Sequence, residues 1–147
     1  MVAEVNLSVD DLIQPIFIKE NLTGSENIDS MPEIKRFGLD VLNKELDELV
    51  SLGIKSVAVF PVIEESKKDA AGLEALNENN FLTRAIKQIK EAFPELIVIV
   101  DVALDPYTTH GHDGVLDSDY DVDNDASLLT LKAVSYTHLR AHETTNY

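Results

Sequence analysis

The chain has 147 residues, 44% of them apolar, which is enough for one domain with a real core and argues against disorder. Its 27 acidic residues outweigh 12 basic ones, and the net charge of −15 repels phosphate backbones and anionic lipid, so neither nucleic acid nor a membrane surface is an expected partner. There is no cysteine, which excludes a disulfide framework and a thiolate zinc site.

The N-terminus, Met1-Val2-Ala3-Glu4-Val5-Asn6, lacks the basic start and apolar core of a secretory signal. The apolar stretch from Leu96 to Leu104 is interrupted by Asp101 and is too short to span a bilayer. A cytoplasmic location is therefore expected. The first element is a short β-rich run, Leu12 to Ile18, in which Pro15 argues for an edge or a bulge. Residues 19–37 are polar, with Gly24, Ser30 and Pro32, and read as a loop. Asp40 to Leu52 carries apolar residues at helical spacing, and Gly53 stands where a helix C-cap is wanted. Lys55 to Val62 reads as a buried strand, and residues 64–78 as a charged loop.

Asn80 is the expected cap of a second helix, ended by Pro94. Glu95 through Leu104 forms a third strand, rich in Ile and Val, and another helical pattern begins near Asp125, the expected N-cap. The order is β-α-β-α-β-loop-α. Near-continuous apolar strands imply a parallel sheet covered on both faces. Such an α/β start fits a doubly wound sheet or a (β/α)₈ barrel. No glycine-rich phosphate fingerprint follows the first strand, so the dinucleotide-binding version loses support. From about Tyr136 the apolar periodicity stops.

The chemistry concentrates in Asp101-Val-Ala-Leu-Asp-Pro-Tyr-Thr-Thr-His-Gly-His-Asp-Gly114. Strand alternation predicts Asp101, Ala103 and Asp105 on one face, at the strand end where parallel folds build their sites. Two carboxylates there need a cation, a proton or a substrate ammonium to be tolerated, and Asp113 could return as a third oxygen ligand. Such a set suits Mg²⁺ or Mn²⁺ better than a soft metal, although strand-end aspartates also often cap the following loop. His110 and His112 could both face one site, or one could donate to a backbone carbonyl; a structural role is favoured for His110 and the polar site for His112. Tyr107 is expected to be half-buried, its hydroxyl at the rim. The run Asp117 to Asp125 looks like a calcium loop but lacks the required glycine and glutamate in either register. Glu45, Glu48, Lys87 and Lys90 read as solvated helix faces, and no Ser-His-Asp arrangement is present.

The stretch 101–114, the Asp29-Ser-Met-Pro32 segment and Gly53-Ile-Lys-Ser-Val-Ala-Val-Phe-Pro-Val62 together resemble the porphobilinogen synthase (5-aminolevulinate dehydratase) family, in order and spacing, from about residue 1 to residue 135. The resemblance implies the first three strands and helices of an incomplete (β/α)₈ TIM barrel. It implies condensation of two 5-aminolevulinate molecules to porphobilinogen with loss of water, by a homo-oligomer of the octamer type. Zinc-dependent members carry three cysteines where this chain has Ala103, Asp105 and Asp113. The resemblance is therefore to the aspartate-rich type, which uses Mg²⁺, sometimes K⁺, or no active-site metal, with no active-site zinc expected. It implies that Asp101, Asp105 and Asp113 bind substrate and that Asp105, Asp113 and His112 are metal ligands. None of the lysines, from Lys19 to Lys132, matches either Schiff-base position of the family, so this polypeptide is expected to be inactive alone. Met1-Val-Ala-Glu4 resembles an internal point of the family. Residues 136–147 resemble adapter-derived sequence and are expected to stand outside the fold. The alternative reading is a non-enzymatic acidic Mg²⁺-binding module.

Overall fold

The computed structural model describes residues 5–140. Strand β1 (Ile13–Lys19) is followed by a hairpin, β2 (Ser25–Ile28) and β3 (Met31–Phe37), then by α1 (Leu39–Ser51) and β4 (Ser56–Val62). Single 3-10 turns at Glu65–Lys67 and Leu73–Leu76 lead to α2 (Phe81–Ala92) and β5 (Ile97–Val100). A two-residue pairing of β6 (Val115–Leu116) with β7 (Val122–Asp123) precedes α3 (Asn124–Arg140). The main sheet has the order β2-β3-β1-β4-β5. Strands β1, β4 and β5 run parallel, with Ile16 opposite Val59 and Ala58 opposite Ile99; β2 and β3 are antiparallel.

The expected β-α-β-α-β-loop-α order holds for the three parallel strands and their helices. The region 19–37, expected to be a loop, instead makes the hairpin. Its polarity concealed the strands because their side chains pair across the surface: Glu26 lies opposite Arg36 and forms ion pairs with both Lys19 and Arg36. Pro15 is tolerated because β3 joins β1 only at Phe17 and Ile18, so that β1 has β4 alone as neighbour at Pro15.

The helix boundaries follow local chemistry. Asn80 caps α2 by accepting the Thr83 N–H at 2.9 Å, and the helix stops two residues before Pro94. Gly53 follows α1 as expected, donating its N–H to the Val50 carbonyl. Helix α3 departs from expectation: Asp123, not Asp125, accepts the Ala126 N–H at 3.0 Å. Lys90 also departs, since its ammonium bonds the carbonyls of Pro94 and Leu96 at the end of α2.

The core lies between the sheet and helices α1 and α2. Ile16 and Ile18 of β1, Val57 and Val59 of β4, Leu42 and Leu46 of α1, and Leu82 and Ile89 of α2 are all buried. Each such side chain contributes about 1.5–3 kcal/mol on burial. The opposite face of the sheet carries Phe17, Ala58, Phe60, Ile97 and Ile99, and among the described residues no helix covers it. Phe60, Ile97 and Ile99 are exposed, while Phe17 stacks on Phe60 at 5.5 Å. The expected cover on both faces is therefore present on one. Helix α3 continues past Tyr136 to Arg140, with Thr137 and His138 buried, so the start of the stretch expected to stand outside the fold is helical. Residues 141–147 of that stretch, like Met1–Glu4, lie outside the described residues.

Candidate active site

Lys19 of β1 pairs in register with Val62 of β4, and β5 ends at Val100, so the three parallel strands finish at one rim. The next residue is Asp101. The strand does not run on to Leu104: residues 101–103 have no regular structure and a turn spans Asp105–Tyr107. Strand alternation therefore does not place Asp101 and Asp105; the turn does. It closes by Tyr107 and Thr108 N–H groups donating to the Leu104 carbonyl at 2.8 and 3.0 Å. The chain then doubles back, and Asp113 accepts the Leu104 N–H at 2.6 Å. Gly114 permits this return, since a Cβ there would stand 2.5 Å from Val122 and 2.7 Å from the Ser127 hydroxyl.

The electrostatics follow from the turn. Burial pushes the Asp105 carboxyl above its ordinary value, and the negative charges of Asp113 and then Asp101 push the same way. Asp105 is exposed at its rim, but enough protein surrounds the carboxyl for desolvation to be the leading cause. Asp105 thus feels the charge of both other aspartates singled out in the sequence. A hard cation or an ammonium fits two carboxylates held in this way.

His112 does not join them. It is exposed, stacks in tilted fashion on His110 at 5.5 Å, and donates its backbone N–H to His110 Nδ1 at 3.1 Å. Among the described residues, no three His, Asp or Glu side chains converge closely enough to hold a metal ion. His110 has the structural role expected of it, with Nε2 3.0 Å from the Ala70 carbonyl. Because Nδ1 accepts from His112, Nε2 carries the proton and donates. Tyr107 differs from expectation. It is fully buried, not half-buried, and its hydroxyl finds no hydrogen-bond partner among the described residues.

Sequence reasoning missed the loop that braces this turn. Asp69 and Thr108 form a parallel bridge: Asp69 donates its N–H to Tyr107 and accepts from the Thr109 N–H at 3.1 Å. Gly72 fits beneath, where a Cβ would meet Leu104 at 3.2 Å. Asp69 sits in a charged, aperiodic segment, and nothing in its spacing announces the bridge. His138 was also missed. Burial lowers its imidazole, opposed by the backbone and then the charge of Asp101, so α3 reaches back to the rim. Of the cations near the strand ends, Lys67 is raised by its hydrogen bond to Glu20, the reverse of what makes a lysine amine nucleophilic.

The family model for delta-aminolevulinic acid dehydratase matches residues 1–143. The chain belongs to the delta-aminolevulinic acid dehydratase family. Similar members include the delta-aminolevulinic acid dehydratase of Chlamydia pneumoniae, 47% identical over 115 residues, covering 78% of this chain and 35% of that protein. That of Bacillus subtilis is 42% identical over 141 residues, covering 96% of this chain and 43% of the relative. The fold is similar to the crystal structure of the Toxoplasma gondii enzyme in complex with the reaction product porphobilinogen. The TM-score is 0.92 at 38% identity, covering 95% of this chain and 40% of that one. The chain thus spans less than half the length of these relatives. The family match includes residues 136–143, within the stretch expected to be foreign.

Proposed function

We propose that this chain forms the opening part of a (β/α)₈ barrel porphobilinogen synthase, a lyase that condenses two 5-aminolevulinate molecules to porphobilinogen with loss of water. Strands β1, β4 and β5 are its first three barrel strands, and the uncovered sheet face is the inner face of the barrel. The observation that carries the reading is the return of Asp113 onto the turn of Asp105 at the strand ends, where burial first, and then the charges of Asp113 and Asp101, raise the Asp105 carboxyl.

In this reading Asp105 and Asp113, flanked by Asp101, hold the ammonium of one substrate molecule. A positive group lowers the cost of two adjacent carboxylates and keeps both ionised. Mg²⁺, or K⁺, would be held by the same two carboxylates and complete its shell with water, as Mg²⁺ commonly does. When bound, it would supply fixed positive charge beside the substrate. His112 takes part only if its loop rearranges. The Schiff-base amines belong to segments of the complete enzyme other than residues 1–147. The working protein is a cytoplasmic homo-oligomer of the octamer type.

Calorimetric titration of the chain with 5-aminolevulinate tests the site. Saturable binding that disappears in the double variant Asp105→Asn plus Asp113→Asn is expected; equal binding by both proteins sinks the assignment. Porphobilinogen formation by the 147-residue polypeptide should stay at background, and measurable product would show that a lysine of this segment does serve. The acidic Mg²⁺-binding module is disfavoured by the lack of three converging ligands among the described residues. Tight Mg²⁺ binding without any 5-aminolevulinate binding would restore it.

A further inference from the structure

Glu20 follows the last residue of β1, and its side chain is only 3% exposed. A buried carboxylate is costly unless its oxygens are matched by donors. Three donors reach it: the Lys67 ammonium at 2.5 Å, the Arg84 guanidinium at 3.3 Å and the Glu64 N–H at 3.4 Å. They come, in that order, from the 3-10 turn Glu65–Lys67, from α2 and from just beyond β4. Lys67 lies two residues before Asp69, which forms the backbone bridge to the aspartate turn. Tyr107, whose carbonyl accepts the Asp69 N–H, is itself buried.

We propose that Glu20 is a positioning residue for the acidic site: through Lys67 and the Asp69–Thr108 bridge it holds the loop 64–76 against the turn that presents Asp105 and Asp113. The inference deepens the proposed reading of those aspartates as the amine-binding pair. Glu20 touches neither aspartate and acts only through the loop. Arg84 ties the same carboxylate to α2, so the loop is referenced to the rigid core and not to solvent. Without the tie, the loop keeps its backbone bonds to Tyr107 and Thr109 and the His110–Ala70 bond, and the turn opens more often.

Amide hydrogen exchange on the whole chain reads this directly and needs neither substrate nor cation, so its outcome is separate from that of the binding experiment. In Glu20→Gln, exchange at the Asp69 and Thr109 amides should accelerate by about tenfold or more, as expected for loss of a charged hydrogen bond. Amides inside α2, such as Ile89, should stay within about twofold of the parent if the opening is local. Should Glu20→Gln unfold the chain, Lys67→Gln decides alone, because Glu20 then keeps Arg84 and the Glu64 N–H. Selective acceleration at Asp69 and Thr109 supports the proposal. Uniform acceleration across the chain, or no change at the bridge, overturns it and leaves Glu20 a stabilising ion pair only.

Discussion

The two faces of the parallel sheet are similar in composition and opposite in environment. Ile16, Ile18, Val57 and Val59 lie buried under α1 and α2, whereas Phe60, Ile97 and Ile99, on alternate positions of the same strands, stand exposed. Strand sequences that are apolar on both sides are those of a sheet covered twice. The helices of residues 5–140 cover one side, and the other presents aromatic and β-branched surface. Sequence records what a strand needs; the elements at hand determine how much of that need is met.

This contrast can be broken by measurement. The largest expected effect is on the covered face: Leu46→Ala should cost about 2–5 kcal/mol in chemical denaturation, since Leu46 is fully buried. Phe60→Ala on the open face should cost about 1 kcal/mol or less, mainly from loss of its stacking with Phe17. Equal costs would mean that the open face is buried in solution by self-association. Sedimentation velocity sharpens that point. The parent should associate with rising concentration through the open face and the bare edge of β5, and Ile99→Lys should shift it toward monomer. No response to this charge would remove the open face as the source of association.

Smaller effects are expected away from the sheet face. Glu33 follows Pro32 in β3 with a φ of 68°, a left-handed conformation that costs a side chain about 1–2 kcal/mol. Glu33→Gly should therefore raise the denaturation midpoint by an amount equivalent to about 1 kcal/mol. The least effect belongs to Asp105. Its folded-state carboxyl is raised, so the stability it contributes is complete below the ordinary aspartate value and is lost as pH rises through the folded value. Asp105→Asn should slightly raise the melting temperature near neutrality and make no difference in acid below the ordinary range. A melting temperature lowered at neutral pH would contradict the repulsion.

Much of this could be read from residues alone where one local rule dominates. Asn80, Pro94 and Gly53 bound their helices because capping and helix breaking involve a few neighbouring atoms. The hairpin at 25–37 was hidden because cross-strand ion pairs, not apolar alternation, line it. The return of Asp113 to Leu104 was not legible, because a hydrogen-bonded turn makes it and not the pleat of a longer strand. His112 packs on His110, a placement that adjacency in sequence does not set. Asp69 and Glu20 left no local signal, since their partners lie 39 and 47 residues further along the chain.

The bridge between Asp69 and Thr108 is built from peptide groups, and so is half of the contact by which Leu104 receives Asp113. Amide hydrogens and carbonyls are the same whatever residue carries them. A mouth held by its main chain can exchange carboxylates for thiols or amides at the positions it presents while the scaffold keeps its shape. A change in the side chains presented at this rim is then open to single mutations and requires no refolding of the sheet.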